Sequence, residues 1–151
     1  MKFILDDMLG KLARWLRIMG YDAKYPTRVS DEKIIEIAKD EGRILLTRDR
    51  ALAKRFIVPS LFILSTDIDE QLVQVIKRFS LDIKDIWKRC PVCNGILNSI
   101  EKEEVKGNVP QIVFLRYDEF FLCSSCKKYY WKGYHWDGIT QRLKKQTEQA
   151  D

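Results

Sequence analysis

Four cysteines, which are all that the 151-residue chain contains, fall into two pairs, Cys90-Pro-Val-Cys93 and Cys123-Ser-Ser-Cys126. Two Cys-x-x-Cys pairs supply four thiolates for one tetrahedral Zn²⁺, with Zn–S distances of about 2.3 Å. Four thiolates leave no open position for water, so the spacing favours a structural zinc over a catalytic one. The spacing also leaves open an iron–sulfur centre or redox disulfide chemistry. We expect zinc to stabilise a module that is too small to fold on its core alone.

A second group of residues with chemical potential is acidic and lies in the first half of the chain. Asp6 follows one apolar run, and Asp49 follows the apolar run 44–46. If these runs are parallel strands, both acids lie at the edge of the sheet where ligands bind, and Asp31 can join them. Clustered carboxylates suit Mg²⁺ or Mn²⁺. Such a site hydrolyses phosphodiesters by activating water and by neutralising charge on the scissile phosphate.

The same acids have a simpler interpretation as helix caps. Asp6, Asp7, Asp31 and Asp67 all stand at predicted helix starts, where acidic side chains accept hydrogen bonds from free backbone amides. Asp49 is the acid least easily explained in this way, although it too precedes a short predicted helix. The spacing alone leaves both interpretations open.

Basic residues accompany these acids. Lys11, Arg14 and Arg17 recur every three residues along the first predicted helix, and Arg48 lies next to Asp49. The formal net charge is +5 and the pI is about 9.0, which favours a polyanion such as RNA or DNA, and less strongly an acidic membrane surface. A phosphate backbone can cross both the basic ridge and the acids. Alternatively, the ridge is the solvated face of an amphipathic helix.

Aromatic and basic residues alternate near the second cysteine pair, in the run KKYYWKGYHW over 127–136. Interleaved rings and cations can stack on bases and neutralise phosphates. The alternative is that Tyr130 and Trp131 form the small core of the module itself. His135 is the only histidine, and we expect no catalytic role for it beside a complete set of four cysteine ligands.

The elements that position these residues alternate between strand and helix in the first half of the chain. This alternation predicts an α/β fold, a parallel sheet with helices on both faces, over 1–86. Ser30 is a predicted helix cap, and Gly42 a predicted helix end. We expect a zinc ribbon over 87–141 and a charged tail over 142–151. The predicted strands cover 2–5, 23–25, 44–46 and 61–64. We expect the last two helices of this domain over 50–56 and from about 67 onward.

The chain contains no apolar run of membrane-spanning length and no signal-peptide pattern at its first residues. We therefore expect no membrane association and an intracellular, cytoplasmic location.

Four segments carry a known family pattern: FILDDMLGKLARWLRIMGYDAKY, SDEKIIEIAKDEGRILLTRDRALAKR, RCPVCNGIL and FLCSSCKKYYWKGYHW. Through them, nearly the whole chain resembles the Mut-seven C-terminal RNase domain, a PIN-like nuclease fused to a zinc ribbon. The resemblance implies a PIN-like fold and a metal-dependent, endonucleolytic ribonuclease that uses Mg²⁺ or Mn²⁺. Asp6, Asp31 and Asp49 match its acidic positions, and Arg14 and Arg17 look like RNA-contacting or structural residues.

The chain departs from this family pattern at one place. Related PIN-like proteins often carry another acid just after the TRD-type motif, where Arg50 and Ala51 stand here. The departure implies that a second metal is incompletely held, with turnover that is slow or needs a partner. The candidate substitutes for the missing acid are Glu32, Asp7 and Asp67.

Two other functions compete with cleavage. The first is a PIN-like RNA-binding adaptor that uses the basic ridge and the zinc ribbon without cutting. The second is a two-component receiver, because FILDD resembles its acidic pair, but a receiver has no cysteine module. Single-stranded DNA stays open as a substrate, since nothing in the residues themselves reads a 2′-hydroxyl.

Overall fold

Four short strands form a parallel sheet in the first half of the chain, in the spatial order β2-β1-β3-β4. The structure, a computed structural model, describes residues 1–151 apart from the side chain of Tyr134. The two central strands are largely apolar, as expected where helices cover both faces of a parallel sheet, whereas the edge strand β2 is Asp-Ala-Lys. They are β1 (Lys2–Leu5), β2 (Asp22–Lys24), β3 (Ile44–Thr47) and β4 (Ser60–Phe62).

The side chains of neighbouring residues in a strand point to opposite faces, so each face of the sheet has its own apolar cluster. Phe3 and Leu5 belong to a cluster with the helices α1 (Gly10–Ile18) and α4 (Ile68–Phe79). Ile4 and Leu45 belong to a second cluster with α2 (Asp31–Glu41) and α3 (Arg50–Ala53). A short 3-10 helix (Asp7–Leu9) connects β1 to α1. The predicted fold class, a PIN-like parallel sheet with helices on both faces followed by a four-cysteine module, is confirmed.

The predicted caps of α2 are in place. The hydroxyl of Ser30 accepts a hydrogen bond from Lys33 N at 3.1 Å. Gly42 ends the helix at φ 64°, in the left-handed region that glycine tolerates best.

Strand β4 is shorter than predicted, although one backbone hydrogen bond to β3 follows it, from Ile63 N to Thr47 O at 2.8 Å. Oε1 of Gln74 accepts from Leu64 N at 3.0 Å, and Nε2 of Gln74 donates to Phe62 O at 2.9 Å. The side chain of Gln74 thus binds the backbone on both sides of Ile63. Helix α3 is also shorter than predicted, because Phe56 takes a left-handed φ of 53° that no helix continues.

The second module is an antiparallel sheet of three strands that carries the cysteine pairs. Two short helices, α5 (Lys102–Val105) and α6 (Gln111–Arg116), fill the connection between its first two strands. The strands are β5 (Leu97–Ile100), β6 (Phe120–Cys123) and β7 (Tyr129–Trp131).

The last helix, α7 (Tyr134–Ala150), leaves the second module and packs on α4 of the first. Residues 142–150, predicted as part of a charged tail, are helical. Leu143 is completely buried, and Gln146 and Ala150 are buried on the same face. Arg142 donates two hydrogen bonds to Oδ1 of Asp69, at 2.9 and 2.7 Å. In the described part of the chain, no helix combines the length and the apolar composition needed to cross a membrane.

Candidate active site and zinc centre

Three of the predicted acids line one depression at the carboxyl edge of the parallel sheet. Strands β1 and β3 pair with Leu5 opposite Leu46, which brings their carboxyl ends together. Asp6, Asp31 and Asp49 line this acidic depression together with Asp7, around a volume of about 200 Å³. No Lys, Arg or His is among the described residues that line it. The depression is therefore a region of concentrated negative charge.

Asp6 is the most tightly held of these acids, with only 7% of its surface exposed. Its Oδ1 accepts a hydrogen bond from Met8 N at 3.0 Å, so Asp6 caps the 3-10 helix. Its Oδ2 accepts from Arg48 N at 2.9 Å and from the hydroxyl of Thr47. Three donors therefore fix the position of the Asp6 carboxylate.

Asp49 is half-buried and caps α3, because its Oδ1 accepts from Leu52 N at 3.1 Å. Its own backbone N–H donates to the hydroxyl oxygen of Thr47 at 2.9 Å. The capping interpretation and the site interpretation thus both describe Asp6 and Asp49, since each acid caps a helix and lines the acidic depression.

Thr47 is a site residue that we did not predict. It is completely buried at the end of β3, and its hydroxyl connects Asp6 to the backbone of Asp49. A polar residue that ends an otherwise apolar strand, directly before the two residues Arg48 and Asp49, was the available signal.

Asp31 is half-buried in the first turn of α2, where Ser30 and not Asp31 caps the helix. Of the acids offered as substitutes for the missing family carboxylate, Asp7 is exposed and lines the depression. Glu32 pairs with Arg55 at 3.3 Å, and Asp67 caps α4 through Glu70 N at 3.0 Å. Neither Glu32 nor Asp67 is among the described residues that line the depression.

The donor set of the acidic depression fits a hard divalent cation, because all four charged groups offer carboxylate oxygens and no described lining residue is basic. Their oxygens are not drawn together as in a metal site. Among the described residues, only the four cysteines form a group of three or more His, Cys, Asp or Glu whose ligand atoms lie within 4.8 Å of one another. An ion in the depression would therefore have to bring the carboxylates closer together.

The four sulfur atoms are arranged as a zinc site requires. Cys90 and Cys126 place their sulfurs 3.7 Å apart, and those of Cys93 and Cys123 are 3.4 Å apart. Sulfurs of a tetrahedral site with Zn–S distances near 2.3 Å lie about 3.8 Å apart. Backbone N–H groups reach two of the sulfurs, from Gly95 to Cys93 at 3.3 Å and from Cys126 to Cys123 at 3.5 Å. Burial raises the pKa of Cys123, but N–H donors outweigh it and lower that pKa to about 7.

Gly95, two residues after Cys93, is required by close packing in this centre. A Cβ at Gly95 would lie 2.9 Å from the sulfur of Cys123 and 2.8 Å from the hydroxyl oxygen of Ser125. Distances this short displace the neighbouring atoms. A side chain at position 95 would therefore push against a zinc ligand.

The predicted phosphate contacts divide into two kinds. Lys11 and Arg14 are exposed on α1. Arg48 is half-buried, and its guanidinium donates to the carbonyls of Ile63 and Leu64 at 2.8 and 2.9 Å. Lys11 and Arg14 are thus the members of the predicted set that present their charge to solvent.

Arg17, the remaining member of the predicted set, is buried, and its contacts fit the structural role that the sequence left open. It is only 7% exposed, and its guanidinium donates to the carbonyls of Ala23, Pro91 and Val92 at 2.8, 3.2 and 3.1 Å. Burial lowers the pKa of Arg17, with nearby cysteines opposing this effect. Arg17 therefore attaches the first cysteine pair to the parallel sheet.

Asn94 attaches the same cysteine pair to the edge of the sheet. Its Oδ1 accepts from Ala23 N at 3.1 Å, and its Nδ2 donates to Oδ1 of Asp22 at 2.8 Å. Arg43 donates to the same Asp22 oxygen at 2.7 Å. Burial raises the pKa of Asp22, but the hydrogen bonds from Arg43 and Asn94 outweigh it and hold that pKa below its usual range.

These features define an α/β protein with an acidic depression at the carboxyl edge of its sheet and, in a second module, four clustered cysteines that could bind zinc. The model of the Mut7-C RNAse domain matches residues 1–143, so the chain belongs to that family. A similar human protein is "Exonuclease mut-7 homolog", 36% identical over 101 residues, which are 62% of this chain and 12% of the human protein. The chain thus spans a small part of that relative. No solved structure matches. Family membership supports a nuclease function.

Proposed function

We propose that this chain is a metal-dependent ribonuclease that cleaves RNA internally, with Mg²⁺ or Mn²⁺ held by Asp6, Asp31 and Asp49. The observation that carries the proposal is the acidic depression, where these three carboxylates face one volume at the carboxyl edge of the sheet. Such a concentration of carboxylates attracts a divalent cation and not an anionic substrate alone. Family membership supports the nuclease class, and a cytoplasmic location is part of the proposal.

The residues of the depression divide the chemistry among them. A bound divalent ion supplies an activated water and neutralises charge at the scissile phosphate. Asp6 is the rigid ligand, because three hydrogen bonds fix it. Asp49 is the second ligand, and Asp31 is a third ligand or accepts a hydrogen bond from the attacking water. Neither role needs a serine, cysteine or histidine nucleophile.

The exposed cations of α1 hold the substrate. Lys11 and Arg14 stand on the helix that begins next to Asp6 and Asp7, so a phosphate backbone that reaches the acidic depression passes them. Contacts of this kind position the chain without reading its sequence. The zinc of the four-cysteine centre stabilises the second module and takes no part in hydrolysis.

The test is cleavage of a labelled structured RNA by wild type and by Asp49→Asn, each with Mn²⁺, with Mg²⁺ and with EDTA. We expect cleavage that requires the metal and falls at least about a hundredfold in the variant, because the substitution removes a ligand charge. A circular RNA tests for internal cleavage, since it has no ends to trim. Equal activity of Asp49→Asn and wild type would exclude the assigned site.

Asp67→Asn is the matched control. Asp67 is also an acid that caps a helix, but it is not among the described residues of the acidic depression. Asparagine keeps the capping oxygen in both variants, so any change in the cap affects both alike, whereas loss of a metal ligand affects only Asp49→Asn. We expect Asp67→Asn to cleave at nearly the wild-type rate.

A second candidate function is a non-catalytic RNA-binding adaptor. The observation that favours it is that the carboxylate oxygens are not within metal-site distances of one another, as the cysteine sulfurs are. Arg50, which stands where related proteins often carry an acid, also favours a domain that binds RNA without cleaving it. Salt-dependent RNA binding without cleavage, by wild type under all three conditions, would select this function.

A further inference from the structure

An aromatic pocket of about 300 Å³ lies where α6, β7 and the start of α7 meet. We define the pocket by five of its rings, those of Trp87, Tyr117, Tyr130, Trp131 and Trp136. It contains three of the four tryptophans of the chain. Trp136 stacks on Trp87 with ring centroids 4.5 Å apart and on Phe121 with centroids 5.4 Å apart. The wall of the pocket is therefore fixed by ring-on-ring packing.

We infer that the aromatic pocket binds one unpaired nucleobase of the RNA, an inference that rests on the proposed function. Every base offers a flat face to an aromatic ring, so stacking of this kind captures single-stranded RNA with little sequence preference. The volume is at the small end of the about 300–1,000 Å³ that is usual for ligand pockets, which suits one base.

The charges around the pocket favour a nucleotide over an apolar peptide. Arg116 and His135 line the pocket and are exposed, and no Asp or Glu is among its described lining residues. The neighbouring segment 120–136 adds Lys127, Lys128 and Lys132, of which Lys132 pairs with Glu119 at 3.5 Å. Cations beside an aromatic surface match a base that is attached to phosphates.

The pocket and the acidic depression lie at opposite ends of α1. Trp87 N donates to Ile18 O at 2.8 Å, which places the pocket wall at the last residue of that helix. Asp6 and Asp7 come just before its first turn. The nine residues of α1 span about 14 Å at a rise of about 1.5 Å per residue, with exposed Lys11 and Arg14 between the two ends.

Helix α7 connects the pocket to α1, and the charge of its Arg142 is balanced by Asp69 at 2.7 Å. Ile139 lines the pocket, and Arg142, one turn further along, lies with its guanidinium 4.9 Å from the ring centroid of Trp15 on α1. An RNA strand can therefore hold a base in the pocket, pass the cations of α1 and present a phosphate to the acidic depression.

The first experiment measures binding without cleavage. The tryptophan emission of Asp49→Asn protein is titrated with a single-stranded RNA and with an abasic strand of the same length. We expect the RNA to quench the emission and to bind at least about fivefold more tightly, since one stacked base contributes about 1–3 kcal/mol. Equal affinity for the two strands would overturn the inference. A tryptophan emission change that depends on protein concentration in the absence of RNA would also overturn the inference, because it would show that a second copy of the chain occupies the pocket.

The second experiment fills the pocket. A Cβ at Gly133 would lie 3.3 Å from Cζ of Tyr117 and 3.4 Å from Cδ1 of Trp131, and the φ of Gly133 is −98°, which any residue tolerates. Gly133→Leu should therefore occupy the pocket. Gly138→Leu is the matched control, because nothing lies within 4 Å of a Cβ there.

We expect Gly133→Leu to lose the preference for RNA over the abasic strand, and Gly138→Leu to keep it, with zinc content unchanged in both. If both glycine variants keep the preference, the inference fails. Because the readout is binding, a protein that shows the base preference but never cleaves would sink the proposed nuclease function and keep the pocket.

Discussion

The hydroxyl of Thr47 donates a hydrogen bond to Oδ2 of Asp6 in the interior of the protein. The same hydroxyl oxygen accepts the backbone N–H of Asp49 at 2.9 Å. One buried side chain thereby sets the relative positions of two acidic residues that lie on different strands' ends. Nothing else among the described hydrogen bonds connects Asp6 and Asp49 through a single side chain.

Thr47→Val should impair the acidic depression more than the fold. Valine keeps the shape but removes the donor to Asp6, and a hydrogen bond to a charged group contributes about 1.5–3 kcal/mol. We expect RNA cleavage to fall at least about tenfold, measured as kcat/KM, and Thr47→Ser to restore most of it. Cleavage by Thr47→Val at the wild-type rate would show that this hydroxyl does not position the site.

Arg17→Ala should affect stability and Arg14→Ala should affect RNA binding, although both arginines lie on α1. Arg17→Ala removes a buried donor to three carbonyls, so the free energy of unfolding should fall by about 1.5–3 kcal/mol or more. Arg14→Ala should leave it within about 0.5 kcal/mol. Instead, the slope of log K against log salt for RNA binding should fall by about 0.7. A destabilised Arg14→Ala protein with an unchanged salt slope would reverse these roles.

Removal of zinc should loosen an edge of the parallel sheet, which itself contains no cysteine. Asn94 follows the ligand Cys93 and accepts the amide of Ala23 in β2. We expect a chelator to speed hydrogen exchange at Ala23 while the amide of Leu5 in the central strand β1 stays protected. Exchange of Ala23 that does not depend on zinc would show that the cysteine centre and the sheet are energetically separate.

The stabilisation due to Asp22 should depend on pH with a definite sign. The pKa of Asp22 is below its usual range in the folded protein, so its contribution is present above the unfolded value of about 3.9 and is lost as pH falls through the folded pKa. Wild type should therefore exceed Asp22→Asn in free energy of unfolding near neutral pH. The difference should shrink below about pH 4. Denaturant unfolding of both proteins across that range is the measurement, and a gap that widens on acidification would contradict the assignment.

The parts of the fold that the sequence predicts are those fixed by local chemistry. Strands β1 and β3 each contain a run of three apolar residues, and α2 carries its cap at Ser30 and its left-handed end at Gly42. The meeting of Asp6, Asp31 and Asp49 then follows from topology, because parallel strands place their carboxyl ends on one edge.

The features that local patterns do not reveal depend on distant partners. Arg17 has the spacing of an exposed ridge, but its acceptors at Pro91 and Val92 lie more than seventy positions along the chain. Leu143, Gln146 and Ala150 are too few to mark an amphipathic face among so many charged neighbours, and only α4 explains their burial. Thr47 is polar, and its role depends on the side chain of Asp6 on another strand.

The packing of α7 on α4 has a consequence for the order of events during synthesis. The strands and helices of the parallel sheet leave the ribosome first, but Leu143, which completes their apolar cluster, follows both cysteine pairs. Long-range contacts of this kind are made late because a long loop must close first. Part of the core of the nascent sheet therefore stays exposed until the second module and α7 have been synthesised. A ribosome that stalls between Cys126 and Leu143 leaves a chain that has all four cysteine ligands but an incompletely covered core.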